Sequence, residues 1–284
     1  KKYVNQADGS GSTPLHKAVP GRDLAIINIL IENGADIFLV DPNETPLLHT
    51  LISKGDLPFI NILISEAVRR REVTKYVNQV DGSGKTPLSL AATAKNDMSY
   101  HAPNDAFNER FNNVNNVNKG LKDKENQDMV RLLIQKRADI WWVDRTKKGN
   151  STPLLHIVIS NGDLPIIKML IIEAVRRGEG TKYVNQVDEY GDTPLHKAVG
   201  IEYSDIAFKF DDPKMPHISR RIPEIIELLI QYGADKTKKN NNGETPFDVW
   251  ANPSVRNINN IETSARINPK IIHLLTTIQW SVNG

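Results

Sequence analysis

Lys182-Tyr-Val-Asn-Gln-Val-Asp188 runs directly into Glu189-Tyr-Gly-Asp-Thr-Pro-Leu-His-Lys-Ala-Val199, and both parts of this stretch recur. The first part returns as Lys2-Tyr-Val-Asn-Gln-Ala-Asp8 and Lys75-Tyr-Val-Asn-Gln-Val-Asp81. The second, a Thr-Pro followed by Leu (Phe in the last copy), starts at Thr13, Thr45, Thr86, Thr152, Thr193 and Thr245. The intervals between these threonines are 32, 41, 66, 41 and 52 residues. A basic period of about 33, lengthened by insertions of different size, marks a repeat architecture. Residues Thr45-Pro-Leu-Leu-His49 through Glu66-Ala-Val-Arg-Arg70 match Thr152-Pro-Leu-Leu-His156 through Glu173-Ala-Val-Arg-Arg177 at an offset of 107, so the duplicated object is a pair of repeats.

Each repeat reads as a helix-turn-helix. Thr before Pro is an N-cap followed by the residue best suited to the first helical position, because Pro has no N–H to leave unpaired and a preset φ. A short helix is therefore expected at every Thr-Pro. In Asp56-Leu-Pro-Phe-Ile-Asn-Ile-Leu-Ile64 the apolar residues Leu57, Ile60, Leu63 and Ile64 have the spacing of a buried helical face, which predicts the second helix. Gly34-Ala-Asp36 and Gly233-Ala-Asp235 then place a glycine where a helix ends in the left-handed conformation.

Asp8-Gly-Ser-Gly-Ser-Thr-Pro-Leu-His-Lys-Ala-Val19 and its copy at Asp188–Val199 resemble the ankyrin repeat, and the resemblance covers nearly the whole chain. It implies an all-α fold: an ankyrin-repeat α-solenoid of about six helix-turn-helix repeats with short β-hairpin fingers and long inter-helix insertions. It also implies a face that binds other proteins. Two departures stand out. Arg137-Ala-Asp139 replaces the usual Gly, and Leu-Leu-His-Thr-Leu-Ile and Leu-Leu-His-Ile-Val-Ile occupy first helices where small Ala residues are usual.

On this reading residues 1–284 form one ankyrin-repeat domain, with repeats at 1–40, 41–73, 74–147 (insertion 95–125), 148–180, 181–240 (insertion 201–222) and 241–284. The first insertion is asparagine-rich, with a short helix expected near Asp105–Phe111; the second carries Tyr203, Phe208, Phe210 and Met215 and is expected to dock back. The last repeat, with Pro269-Lys-Ile-Ile-His-Leu-Leu275 and a tail reaching Trp280, is expected to close the core. Copies two and three of Lys-Tyr-Val-Asn-Gln follow Glu-Ala-Val-Arg-Arg helices, which predicts a homologous helix ahead of Lys1.

The 284 residues are 39% hydrophobic and 25% charged, with no run near the roughly 20 apolar residues of a membrane helix. A net charge of +2 gives no global electrostatic case for nucleic acid. Cysteine is absent, which excludes disulfides, thiol catalysis and cysteine-ligated metals. No Ser-His-Asp order, phosphate-binding Gly-rich loop or His-Glu-x-x-His helix appears. No catalytic, cofactor or metal residue is assigned.

The candidate partner-binding residues lie on the fingers and helix ends. Where the family is usually polar, the fingers read Ile37-Phe-Leu-Val40 and Ile140-Trp-Trp-Val143, which puts forward Phe38, Leu39, Trp141 and Trp142. The helix ends Arg69-Arg70-Arg71 and Arg176-Arg177, with Lys236, Lys238 and Lys239 on a later finger, outline a basic edge for an acidic partner. Arg at a helix C-terminus also caps carbonyls, and the aromatic pairs can pack on neighbouring fingers. The threonines at 13, 45, 86, 152, 193 and 245 and the histidines at 16, 49, 156 and 196 form the structural repeat motif, and the resemblance implies that each His bonds within and between repeats. It also implies that Asn5, Asn78 and Asn185 bond to the finger backbone, at a position asparagine hydroxylases modify.

The function expected is a non-catalytic protein–protein interaction scaffold, monomeric, with a protein partner and neither nucleic acid nor membrane. Paired-repeat duplication, irregular insertions and Asn/Lys/Ile-rich composition resemble the ankyrin effectors of intracellular bacteria such as Legionella or Rickettsia. That implies a secreted effector module that binds a eukaryotic host protein and works in the cytoplasm, here the host cytosol. The alternative is a substrate-recruiting domain of a larger enzyme whose catalytic domain lies outside the segment.

Overall fold

The computed structural model describes residues 3–21, 23–41, 43–94, 123–145, 151–207, 218–251 and 269–276. The expected helix near Asp105–Phe111, the side chains Phe208, Phe210 and Met215 expected to dock back, and the tail at Trp280 lie outside them. The chain divides into two compact halves, Lys1–Trp142 and Val143–Gly284.

The first half holds α1 (Pro14–Gly21), α2 (Leu24–Glu32), α3 (Leu47–Lys54), α4 (Leu57–Arg69), α5 (Val73–Val77), α6 (Pro87–Thr93) and α7 (123–135). Helix α1 packs on α2, α3 on α4 and on α6, and α4 on α5. The second half begins with a two-stranded antiparallel hairpin, β1 (Val143–Asp144) against β2 (Thr152–Pro153), in which Val143 pairs with Pro153 and Asp144 with Thr152. There follow α8 (Leu154–Asn161), α9 (Leu164–Arg176), α10 (Gly180–Val184), α11 (Pro194–Ala207), α12 (Ile218–Gln231), α13 (Pro246–Ala251) and α14 (Pro269–Thr276). Two rows result: first helices α8, α11 and α13 pack in succession, and second helices α9, α12 and α14 do likewise. This is the ankyrin arrangement of helix-turn-helix repeats.

The core lies between the rows. In the second half Leu155, Val158, Ile159, Ile167, Leu170, Ile171, Leu195, Val199, Ile225 and Ile226 are completely buried. Each such side chain stabilises the fold by about 1.5–3 kcal/mol through removal from water. The bulky Leu47, Leu48, Leu51 and Ile52 of α3, a first helix of the kind in which small Ala residues are usual, are absorbed into the core of the first half.

Thr-Pro opens a helix as expected in four repeats. Thr86 caps α6 with a reciprocal box: its Oγ1 accepts from the Ser89 amide, and the Ser89 hydroxyl accepts from the Thr86 amide at 2.9 Å. Helices α1, α11 and α13 also begin at the Pro after the Thr. In the second and fourth repeats the helix instead starts one residue later, at Leu47 and Leu154, with Pro46 and Pro153 as extended N-caps that make no side-chain cap bond. The cause is the extra Leu in Thr-Pro-Leu-Leu-His. It moves His from the third to the fourth position after Thr, out of capping reach, and leaves Pro46 and Pro153 bridged to Val40 and Val143.

The insertions are also partitioned by the helices. Residues 123–125 already belong to α7, while α11 continues through 201–207 and α12 starts at Ile218. Second helices end as the glycine pattern predicts: Gly34 and Gly233 adopt φ of 86° and 88°, and the following Ala amide bonds back to Leu30 and Leu229. Arg137 takes the same left-handed conformation at φ 66°, and Arg71 does so at φ 60° where its duplicate is Gly178.

Candidate functional site

The fingers are built by one repeated device. Asp8, Asp41, Asp81, Asp188 and Asn240 each accept, through a side-chain oxygen, the amides two and four residues ahead, for example Tyr190 and Asp192 on Asp188 at 2.9 and 3.0 Å. Asparagines tie each finger to the next helix end. The Oδ1 of Asn5, Asn78 and Asn185 accepts the amides of Asp36, Asp139 and Asp235 at 2.7, 2.7 and 2.8 Å. Their Nδ2 groups donate to the carbonyls of Gly34, Arg137 and Gly233. Both ends of each amide are thus occupied in tying the Lys-Tyr-Val-Asn-Gln segment to the end of the second helix that follows it.

On this frame stand the aromatic candidates. Asp36 accepts the Phe38 amide, and Asp139 accepts the Trp141 amide, both at 2.9 Å, so the finger fixes the backbone that carries the rings. Phe38 and Leu39 are half-buried, as are Trp141 and Trp142. The Phe38 ring meets Tyr76 edge-on, with centroids 5.3 Å apart, and the Lys75 ammonium sits 4.6 Å over it. Gln79 Nε2 donates to the Phe38 carbonyl at 2.9 Å. Trp142 Nε1 donates to the Gly84 carbonyl at 2.8 Å, which holds its indole across the preceding finger. The pairs therefore combine packing on a neighbouring finger with remaining exposure.

The basic helix ends are organised by carboxylates that the sequence reading passed over. Arg69 Nε and Nη2 and Arg70 Nε all donate to Glu66 at 2.6 Å, and Glu66 is buried. Arg70 Nη2 also donates to the Ala35 carbonyl at 2.8 Å. In the duplicate, Arg176 and Arg177 grip Glu173 at 2.7 and 2.8 Å. Hydrogen bonds from Arg69 and Arg176 hold the two carboxyls below the usual range, against the opposing effect of burial. The signal was available: Glu three and four residues before two arginines is the spacing of neighbours on a helix face. Each cluster has two guanidiniums on one carboxylate, so a positive charge is left over, and Arg69 and Arg176 keep most of their side chains in water. On the later finger Lys236 Nζ donates to the Leu274 carbonyl and Lys238 Nζ to the Asn185 carbonyl. Arg71 is exposed in its left-handed turn.

The four motif histidines all reach a carbonyl of the following finger through Nε2: His16 to Leu39, His49 to Lys85, His156 to Asp192 and His196 to Glu244, at 2.8–3.2 Å. Because the partner is a carbonyl oxygen, Nε2 carries the proton. His16 and His196 use Nδ1 to accept from the Thr13 and Thr193 hydroxyls at 2.8 Å. In His49 and His156 the shifted register leaves Nδ1 buried without a hydrogen-bond partner. Burial holds both imidazoles neutral, with His156 pushed down to about 4. His101 and His217 lie outside the described residues. Among the described residues, no group of three or more His, Asp or Glu could hold a metal ion, and no helix is long and apolar enough to cross a membrane.

Sequence models of ankyrin repeats match residues 15–99, 121–171 and 190–241. Among curated proteins, the chain is 22% identical to the nuclear factor NF-kappa-B p105 subunit of Gallus gallus over 263 residues, 90% of this chain and 22% of that protein. It is 38% identical to the phosphocholine transferase AnkX of Legionella pneumophila over 60 residues, 21% of this chain and 6% of that protein. The chain thus spans less than a quarter of either relative. The crystal structure of the ankyrin repeat protein EF0377 superposes with a TM-score of 0.54 at 16% identity, over 90% of this chain and 98% of that one. Repeats of this kind are protein–protein interaction modules. Six Thr-Pro signals, two rows of packed helices, Asn-tied fingers and these matches together make the chain a member of the ankyrin repeat family.

Proposed function

We propose that the chain is a non-catalytic recognition scaffold that binds a protein partner through its fingers and adjoining basic helix ends. The observation that carries this reading is the placement of Trp141 and Trp142 on a finger whose backbone is fixed by Asp139 and Asn78, with the rings only half-buried. Rigid, partly exposed aromatic anchors have the character of interface hot spots. Phe38 and Leu39 form the second such anchor. Arg69 and Arg71 in the first half, and Arg176 in the second, each add a local positive charge suited to an acidic partner.

The partner in this reading is a eukaryotic host protein, and the chain is the monomeric recognition module of a bacterial effector acting in the host cytosol, without nucleic acid or membrane. The likeness to a stretch of Legionella AnkX supports it. The same relative favours a second reading, recruitment of substrate to an enzyme, since it is a transferase of which this chain matches a small part.

The test is affinity capture from eukaryotic and bacterial lysates, followed by titration with the purified captured protein. A eukaryotic protein held by the parent and weakened at least 30-fold by Trp141→Ala/Trp142→Ala, with helicity retained, supports the proposal. Affinity unchanged by the substitution returns the tryptophans to packing.

A further inference from the structure

Among the described residues, three other than glycine take the left-handed conformation, and all three are charged: Glu44 at φ 58°, Arg71 at 60° and Arg137 at 66°. A residue with a Cβ rarely adopts this backbone, and glycine holds the equivalent place elsewhere in the chain. Gly178 is the duplicate of Arg71, and Gly34 and Gly233 stand before Ala-Asp where Arg137 does. Packing accounts for Glu44, whose carbonyl accepts the Gly82 amide at 3.2 Å and whose side chain lies against the same glycine. No such contact accounts for the two arginines. Both are exposed, and neither guanidinium makes a hydrogen bond or an ion pair among the described residues. Backbone strain kept for a side chain with no partner in the fold points to a role in binding.

The two strained turns stand at one edge of the first half. Helix α5 leads from Arg71 to Asn78, about 10 Å at about 1.5 Å per residue. Asn78 Nδ2 then donates to the Arg137 carbonyl at 3.3 Å, and its Oδ1 accepts the Asp139 amide at 2.7 Å. Arg69 lies two residues before Arg71, with its side chain 70% exposed. The carboxylates at this edge are already engaged. Glu66 is shared by Arg69 and Arg70, Glu72 pairs with Lys75 at 3.9 Å, and Asp139 accepts the Trp141 amide. Arg71 and Arg137 are therefore surplus positive charge, and the counterparts Gly178 and Gly233 in the second half carry none.

We infer that Arg69, Arg71 and Arg137 form a recognition edge for a run of Asp and Glu residues in an extended segment of a protein partner. This rests on the recognition reading above and names the chemistry that the partner brings. A guanidinium takes a carboxylate through two parallel N–H donors. An extended chain advances about 3.3–3.6 Å per residue, so carboxylates three or four residues apart match the length of this edge. Guanidiniums spread over that length suit several carboxylates in sequence better than one phosphate group.

The test is fluorescence anisotropy with a fluorescein-labelled decaglutamate peptide at about 50 mM salt, where surface charges are little screened. Arg71→Gly/Arg137→Gly keeps both left-handed turns, so the fold and its helicity are retained, and it weakens binding about 10-fold or more. Lys54→Gln/Lys168→Gln removes the same charge from exposed positions elsewhere and leaves binding unchanged. Absence of peptide binding to the parent, unchanged binding after the arginine substitutions, or an equal loss with the lysine pair overturns the inference. A captured protein whose affinity falls with Trp141→Ala/Trp142→Ala but not with Arg71→Gly/Arg137→Gly also overturns it, while leaving the recognition role of the fingers in place.

Discussion

His156→Gln isolates the acid sensitivity that the shifted Thr-Pro-Leu-Leu-His register builds into the fourth repeat. His156 is fully buried, donates from Nε2 to the Asp192 carbonyl at 2.8 Å, and has a buried Nδ1 with no acceptor to receive a new proton. Its folded pKa is about 4, against about 6.5 in an unfolded chain. The unfolded state therefore binds more protons between these values, so the stability contributed by neutral His156 is complete above about 6.5 and is lost as pH falls toward 4. Integrating the difference gives about 2 kcal/mol lost on going from pH 7 to pH 5, and about 3 kcal/mol at the acid limit. Glutamine keeps an N–H for the Asp192 carbonyl and cannot be protonated. Urea unfolding followed by circular dichroism at pH 7, 6 and 5, on both chains, reads the effect directly. All other titrations, including Asp188, whose carboxyl burial pushes up, cancel in the comparison. The parent loses about 2 kcal/mol more than the variant across this range. Parallel pH dependence in the two chains refutes the reasoning.

Three further outcomes follow from the same geometry. Arg137→Gly and Arg71→Gly relieve left-handed residues that carry a Cβ, and each raises stability by about 1 kcal/mol, seen as a Tm increase of a few degrees. Asn185→Ala removes the acceptor of the Asp235 amide and the donor to the Gly233 carbonyl, and costs about 2 kcal/mol in urea unfolding, whereas substitution of an exposed residue off this tie costs under about 0.5 kcal/mol. Glu173→Ala leaves Arg176 and Arg177 facing each other without their shared carboxylate. It destabilises by about 2 kcal/mol, less than a fully buried pair because Arg176 reaches water, and the penalty shrinks as pH falls below the ordinary carboxylate value of 4.5 and through the lowered value of folded Glu173.

Much of this structure was legible because its determinants are local. A Thr-Pro start, a 3.6-residue apolar period and a glycine stop each act within one or two turns, and they located α1, α2, α4, α6, α9 and α13. The later starts of α3 and α8 were not read, although the cause is one visible Leu, because Thr-Pro favours a cap only when the fourth residue can answer it. The partners of the candidate residues were less accessible to sequence. The Gly84 carbonyl lies 58 residues from Trp142, and Lys75 and Tyr76 meet Phe38 across a repeat boundary, contacts that no spacing rule encodes. Glu66 and Glu173 were within reach of the i,i+3 and i,i+4 rule.

Titration of a purified captured partner against the parent, Trp141→Ala/Trp142→Ala and Arg69→Glu/Arg71→Glu chains tests the recognition role most directly. The tryptophan pair is expected to weaken binding at least 30-fold with helicity unchanged, and the charge reversal to slow association in a salt-dependent way. Equal affinity in all three folded chains contradicts the recognition role.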